Sequence, residues 1–140
     1  MTTPVLPPYI YQMMDHLYIS DARGYTHHAF FNVMINTTYV LKPGKLSVSD
    51  IDDHTHHIQI EPDDTGISTL HDLCTEITKA TQQFKKILLY GDDYYPSALL
   101  VYTYLTTRYH FTAIDISRLI ATRPFNPGLT NAFHQLLTKK

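Results

Sequence analysis

The residues most able to do chemistry lie in a loop that follows a short apolar stretch, residues 86–89, and precedes an apolar helical one, residues 97–109. A strand, a tight loop and a helix in this order form a phosphate-binding site, because loop N–H groups and the helix N-terminus point at the anion. The loop is Tyr90, Gly91, Asp92, Asp93, Tyr94, Tyr95, Pro96 and Ser97. It contains no Cys, Arg, Lys or His, so the sequence predicts the framework of a phosphate site without its reactive groups.

The two carboxylates of this loop oppose an incoming phosphate. Two unit charges about 6 Å apart repel by roughly 3 kcal/mol at an effective dielectric constant of 20. We therefore expect neither phosphate binding nor hydrolysis. Two structural roles stay open for Asp92 and Asp93: either carboxylate accepts from the free N–H groups that begin the next helix, or both point into water.

Composition limits the classes of protein that need to be considered. With 140 residues and 44% apolar content, we expect one compact domain at residues 9–140, preceded by an extended Pro-rich arm at residues 1–8. The formal net charge is -2 and no basic stripe is present, which argues against nucleic acid as a partner. No apolar run is long enough for a membrane span, and the first residues do not resemble a signal peptide. The single cysteine, Cys74, suits a reducing compartment, so we expect a cytoplasmic location, with the nucleus as an alternative.

Periodicity predicts the elements that position the loop. We expect two strands with a turn over residues 9–19, a short helix over 21–31, strands at 33–36, 57–60 and 86–89, and a loop over 41–57. Helices are predicted to begin after Thr69 and after Thr112, where Asp72 and Asp115 complete capping boxes, and to cover 97–109 and 129–137. The first of these helices is predicted to bury Leu70, Leu73, Cys74, Ile77 and Phe84. Alternating strands and helices imply an α/β fold with a mostly parallel central sheet flanked by helices.

The order of these segments resembles the dual-specificity phosphatases, a branch of the cysteine-dependent protein tyrosine phosphatases. The matching segments near the N-terminal side are residues 17–22 (LYISDA), 34–38 (MINTT) and 60–65 (IEPDDT). Further matches are residues 97–98 (SA) and 101–105 (VYTYL), and then 123–124 (RP), 126–127 (NP) and 133–136 (FHQL). Together they span nearly the whole chain. The resemblance implies a single-domain dual-specificity-phosphatase-like fold and places the family's general-acid Asp at Asp64.

The departure from the family lies in the loop. Family members read H-C-x-x-G-x-x-R-S, in which the Cys is the nucleophile and the Arg clamps the phosphate. The alignment places Leu89 at the His, Tyr90 at the Cys, Asp93 at the Gly and Pro96 at the Arg, and keeps only the final Ser, as Ser97. A phenol is a weak nucleophile and a low-pKa thiolate is needed for a covalent phosphoenzyme, so the resemblance implies a catalytically inactive pseudophosphatase.

One further set of residues suggests other chemistry, and two other functional classes stay open. The stretch around His54 and His56, with Asp50, Asp52 and Asp53, has ligand types for a metal but no clear partner spacing, and we expect no metal or other cofactor. An active phosphatase that uses a relocated nucleophile or a metal remains the competing enzyme class. A structural subunit that forms homodimers is a third possibility.

The sequence therefore predicts a non-enzymatic, protein-binding domain that serves as a scaffold, decoy or regulator of phospho-signalling. Tyrosine is enriched in binding hot spots, and Tyr94 and Tyr95 are predicted to be exposed at the loop tip, whereas Tyr90 is predicted to fill the former pocket. An acidic, aromatic surface favours a partner with a basic segment. We define the predicted binding rim as Asp63, Asp92, Asp93, Tyr94 and Tyr95.

Overall fold

The computed structural model describes residues 6–138. Most of the predicted arm, residues 1–5, lies outside the described residues. The strands are β1 Ile10–Met14, β2 Leu17–Asp21, β3 Val33–Asn36, β4 Pro43–Asp52, β5 Thr55–Pro62, β6 Ile67–Ser68 and β7 Ile87–Gly91. The helices are a 3-10 helix at Ala22–Phe30, α1 Leu70–Gln82, α2 Tyr95–Arg108, α3 Ala113–Ala121 and α4 Pro127–Thr138.

The strands form one seven-stranded sheet in the order β1-β2-β7-β3-β5-β4-β6. Strands β2, β7, β3 and β5 are mutually parallel in the centre of the sheet, and β1, β4 and β6 pair antiparallel at its two edges. The 3-10 helix connects β2 to β3, and α1 precedes β7, whereas the connection from β3 to β5 runs through the antiparallel strand β4. The predicted α/β fold with helices flanking a central, mostly parallel sheet is confirmed.

Strand β7 lies inside the sheet, between β2 and β3, and is buried along its whole length. Its side chains alternate between two apolar clusters. Ile87 and Leu89 belong to the cluster on the side of helices α1 and α2, and Leu88 and Tyr90 belong to the cluster with Phe31 beside the 3-10 helix. A strand buried on both faces reads as a continuous apolar run, which explains the sequence ILLY. The loop that follows β7 therefore begins at the end of an interior strand.

The prediction of a loop at residues 41–57 is wrong. Strands β4 and β5 form a long antiparallel hairpin there, with its turn at Asp53 and His54. Strand β4 is polar because most of its residues are exposed or only half-buried, and its hydrogen bonds to β5 stabilise it without a large apolar face. Because few of its apolar side chains are buried, such a strand gives only a weak hydrophobic pattern in the sequence.

The two predicted capping boxes have different outcomes. At α3 the hydroxyl of Thr112 accepts from the Asp115 N–H, and the Asp115 carboxylate accepts from the Thr112 N–H, as predicted. At α1 the Thr69 side chain makes no capping bond, so that prediction is wrong. Helix α1 buries Leu73, Cys74 and Ile77 as predicted.

Phe84 does not belong to the buried face of α1, which corrects a second prediction for this helix. The helix ends at Gln82, and Phe84 follows in a left-handed conformation with a φ of 58° and a side chain that is 79% exposed. In residues 6–138 no helix combines the length and the apolar character that a membrane crossing requires.

Candidate functional site

The connection between β7 and α2 is only three residues long, because β7 continues through Gly91 and α2 begins at Tyr95. Gly91 pairs with Asp21 in the sheet, and a Cβ on Gly91 would lie 3.0 Å from the Thr37 hydroxyl oxygen. Pro96 falls in the first turn of α2, where a missing N–H costs no hydrogen bond. The strand-loop-helix arrangement predicted from the sequence is therefore present, with a short and tightly packed connection.

Tyr90, the residue aligned with the family's nucleophilic Cys, is 5% exposed. Its hydroxyl oxygen lies 2.5 Å from Nε2 of His57, and the two rings stack with their centroids 5.8 Å apart. The other ring nitrogen of His57 accepts from the Gln59 side chain at 3.2 Å. Tyr90 is held on the face of the sheet that carries the 3-10 helix, with its polar tip already paired.

Burial controls the protonation of both members of this pair. Desolvation raises the pKa of the Tyr90 phenol well above its ordinary value, and the nearby Tyr25 raises it further, while a hydrogen bond with the Asn36 side chain acts in the opposite direction. Desolvation also lowers the pKa of His57. Both groups are thus neutral near pH 7, and Tyr90 offers no phenolate to attack a phosphorus atom.

Ser97, the residue that the family motif retains, is fully buried and bonded inside the protein. Its hydroxyl lies 2.6 Å from the hydroxyl of Thr37, which in turn donates to the Tyr90 carbonyl at 3.0 Å. The Thr37 N–H donates to the same carbonyl at 2.8 Å. This hydrogen-bond network joins the end of β3, the end of β7 and the start of α2.

Asp92 and Asp93 differ in their roles. The Asp93 carboxylate accepts from the backbone N–H of Tyr95 at 2.8 Å, so it satisfies one of the free donors at the start of α2. The Asp92 side chain is exposed. Of the two alternatives raised by the sequence, the first describes Asp93 and the second describes Asp92.

Tyr94 is buried, which corrects the prediction that it projects from the loop tip. Its side chain is 8% exposed; its hydroxyl donates to the Tyr9 carbonyl at 3.0 Å and accepts from the Asn126 amide at 3.1 Å. The short connection turns this ring inward, beside Tyr11 and the start of α4. Tyr94 therefore fixes the loop to neighbouring segments, and it is too buried to be part of the binding rim.

The remaining rim residues keep some exposure. Tyr95 is half-buried and lines an open cavity of about 280 Å³ with Asp93 and residues of α4. Asp63 is half-buried and accepts from the N–H and hydroxyl of Thr65, and both bonds lower its pKa. Asp64, at the vestigial general-acid position, is exposed.

Arg23 is a charged residue beside the loop that sequence reasoning missed. Its guanidinium pairs with the Asp21 carboxylate through three contacts of 2.6 to 3.1 Å and lies 4.2 Å from the centre of the Tyr9 ring. Asp21 is directly opposite Gly91 in the sheet, so this cation is near the mouth of the loop. Its charge is balanced by Asp21, and it does not replace the missing phosphate clamp. No motif in the sequence links Arg23 to a loop that begins almost 70 residues later.

Cys74 and the histidine-rich hairpin lie elsewhere. Cys74 is 7% exposed in helix α1, and desolvation raises the pKa of its thiol to about 11. In the hairpin, the Asp52 carboxylate contacts His28 at 3.3 Å and His54 at 3.2 Å, and Asp50 contacts His56 at 2.6 Å. Residues 6–138 contain no group of three or more His, Cys, Asp or Glu side chains arranged to hold a metal ion.

Comparison with known proteins shows the fold of this chain. No protein-family model matches it, and no curated protein sequence matches it. Human DUSP28 superposes with a TM-score of 0.60 at 18% identity, covering 96% of this chain and 95% of that one. A mouse putative dual specificity phosphatase, complexed with zinc tungstate, gives 0.59 at 18% identity over 96% and 90% of the two chains. Tk-PTP in its active form gives 0.58 at 14% identity over 94% and 97%. These likenesses show that the chain has a dual-specificity-phosphatase-like fold.

Proposed function

We propose that this chain is a catalytically inactive dual-specificity-phosphatase-like domain that binds another protein and acts as a scaffold, decoy or regulator of phospho-signalling. The observation that carries the proposal is the environment of Tyr90. A buried, neutral phenol bonded to His57 occupies the position aligned with the family's nucleophile. Pro96 at the aligned Arg position supplies no charge for a phosphate.

Three further features of the described residues support the proposed loss of catalysis. Cys74 is buried in α1 with a raised pKa, so little thiolate exists at neutral pH. The Arg23 guanidinium is engaged by Asp21. The exposed Asp92 carboxylate repels a dianionic phosphate. These features support a binding role over turnover.

The proposed binding surface is the part of the rim that solvent reaches. Asp92 is exposed, Asp93 is exposed although bonded, and Asp63 and Tyr95 are half-buried. Opposite charge steers association and sets specificity, so this surface favours a basic partner segment. Tyr94 contributes by holding the loop and makes no direct contact with the partner.

Turnover of para-nitrophenyl phosphate, with and without Mg²⁺ or Mn²⁺, tests the loss of catalysis. We expect no turnover above the buffer rate and no shift in melting temperature with tungstate, a phosphate mimic. Activity that stays constant through repeated purification and is removed by a substitution in residues 90–97 would overturn the proposal in favour of an enzyme with an unconventional nucleophile or metal.

The binding role is tested by quantitative affinity capture with the native chain and the Asp92→Lys variant. The matched control is Asp53→Lys, which makes the same charge change at an exposed residue in the β4–β5 turn. We expect a partner retained by the native chain and the control to be lost from the Asp92→Lys variant. Equal retention by all three would contradict the assignment of this rim as the binding surface.

A further inference from the structure

Strand β4 has an outer edge that is largely unpaired. On its inner side it pairs with β5 from Gly44 to Asp52, whereas on its outer side β6 pairs only with Pro43 and Gly44. From Lys45 onward no described strand lies against this edge. Unpaired N–H and C=O groups on a long edge strand form a template for another strand.

The free hydrogen-bonding groups can be assigned to particular residues. Peptide groups alternate in direction along a strand. The Asp63 N–H donates to the Pro43 carbonyl on the β5 side, and the His56 N–H donates to Asn32 on the β3 side. The first bond shows that Pro43, an odd-numbered residue, points its carbonyl toward β5. The second shows that an even-numbered residue of β5 points away from β4, and even residues of β5 pair with even residues of β4. The N–H and C=O groups of odd-numbered β4 residues therefore point toward β5. Those of Leu46, Val48 and Asp50 therefore point outward.

The side chains at this edge form a short uncharged segment between two charged ends. Residues 46–49 are Leu, Ser, Val and Ser, with Lys45 before them and Asp50 after. Val48 is 60% exposed and borders a cavity of about 200 Å³ that Val33, Ile58 and Ala80 also line. Leu46 is half-buried against the main core. Both apolar side chains lie on the face of the sheet that helix α1 covers.

We propose that a second copy of this chain pairs with this edge, β4 against β4, in antiparallel orientation about a two-fold axis. Pairing requires that outward-pointing residues oppose each other, and the register with Ser47 on the axis meets this condition. It places Leu46 of each copy opposite Val48 of the other, so the apolar side chains meet on one face. The sheets of the two copies become continuous.

Charge favours this antiparallel arrangement over a parallel one. Each strand carries Lys45 at one end of the segment, where the exposed ammonium also lies 3.9 Å from the Asp63 carboxylate of its own chain. At the other end are Asp50 and Asp52, which also contact histidines of their own chain. Antiparallel pairing brings the basic end of one copy to the acidic end of the other, whereas parallel pairing sets like charges together. The two-fold axis makes every contact occur twice, which is how homodimers form closed interfaces.

The test is the mass of the full chain in solution as a function of concentration, measured by sedimentation equilibrium. We expect the native chain to rise from 16.2 kDa toward twice that value. The Val48→Lys variant places a charged side chain opposite Leu46 of the second copy, and the two-fold axis repeats this contact. The dissociation constant of the dimer should therefore rise by about tenfold or more. Its matched control is Ile114→Lys, a similar substitution at a residue 64% exposed on α3, which should associate like the native chain.

Amide hydrogen exchange locates the interface independently. In a monomer the outward amides of Leu46 and Val48 exchange quickly, and pairing should slow them as concentration rises, while the amides of Ser47 and Ser49 are protected by β5 at every concentration. A native chain that stays at monomer mass up to about millimolar concentration, where even a weak dimer of millimolar Kd would show, would overturn the proposal. So would a dimer that Val48→Lys does not weaken.

Discussion

The hydroxyl oxygens of Thr37 and Ser97 lie 2.6 Å apart in the buried centre of the molecule, where they link the end of β3 to the first turn of α2. Because Thr37 uses its single hydroxyl hydrogen to donate to the Tyr90 carbonyl, it accepts from Ser97. The one residue that the loop keeps from the phosphatase motif therefore has a structural role here. It holds the loop framework together in the absence of catalytic groups.

Substitution of Thr37 tests this link. Thr37→Val removes the hydroxyl with little change in shape, leaving the buried Ser97 hydroxyl without its acceptor. We expect the free energy of unfolding, measured by urea denaturation, to fall by about 1–3 kcal/mol. Thr37→Ser keeps the hydroxyl and is the matched control. Equal stability of the Val and Ser variants would contradict the role given to this hydrogen bond.

Loss of the hydrogen bond between Tyr90 and His57 should lower the free energy of unfolding by a similar amount. Tyr90→Phe removes the hydroxyl 2.5 Å from His57 Nε2 and leaves that buried nitrogen without its partner. We expect a loss of about 1–3 kcal/mol in the free energy of unfolding. Tyr25→Phe is the control, because Tyr25 lies in the same aromatic group but is 41% exposed, and should change stability by no more than about 0.5 kcal/mol. A Tyr90→Phe variant as stable as the control would count against the pair.

His57 also predicts a dependence of stability on pH. Desolvation lowers its pKa in the folded state below the ordinary value of 6.5, so below pH 6.5 the unfolded chain binds a proton that the folded chain does not. The stabilisation is present above pH 6.5 and is lost as the pH falls below it. The loss approaches at most about 1.4 kcal/mol per pH unit. His57→Gln, which keeps a polar partner for Tyr90, should make unfolding free energy less dependent on pH between 5 and 7. An unchanged pH dependence in this variant would exclude His57 as its source.

The elements that sequence reasoning located and those it missed differ in how their stability arises. Strand β7 and the inner face of α2 were found because their apolar side chains are buried in a regular pattern. Strand β4 was missed because an edge strand is held by backbone bonds to β5 and buries little apolar surface. Its side chains therefore carry almost no period-two signal.

Within the site, the sequence determined which groups are absent but not where the aromatic rings point. Residue types alone show that residues 90–97 lack Cys and Arg. The burial of Tyr94 depends on a three-residue connection and on partners as distant as Asn126. The contact between Tyr90 and His57 likewise joins residues 33 positions apart. The secondary-structure propensity of neighbouring residues contains no information about contacts between residues so far apart in the sequence.

We expect the thiol of Cys74 to react slowly with thiol reagents in the folded chain. Its pKa of about 11, against 9.0 for an unperturbed thiol, lowers the thiolate fraction at pH 7.5 by about a hundredfold, and burial limits access further. Labelling by Ellman's reagent should therefore be at least about a hundredfold slower in the native chain than in urea. Rapid labelling of the native chain would mean that this thiol is accessible and would reopen it as a relocated nucleophile.

The two loop carboxylates predict separable effects on stability and on binding. Asp93 accepts from the Tyr95 N–H, so Asp93→Ala should lower the unfolding free energy by about 1 kcal/mol, whereas Asp93→Asn keeps an acceptor and should lower it less. Asp92 is exposed, and Asp92→Ala should change stability by no more than about 0.5 kcal/mol. Thermal and urea denaturation of the three variants measure these differences.

This difference makes Asp92 the more informative residue for the proposed binding rim. A loss of partner binding in an Asp92 variant that unfolds like the native chain reports on recognition, because the fold of the loop is unchanged. A loss seen only in Asp93 variants would instead follow from a loosened start of α2, and the acidic rim would then lack direct support. If Asp92→Ala proved as destabilising as Asp93→Ala, Asp92 would also stabilise the loop, and the rim would have to be tested with charge-conserving Glu variants.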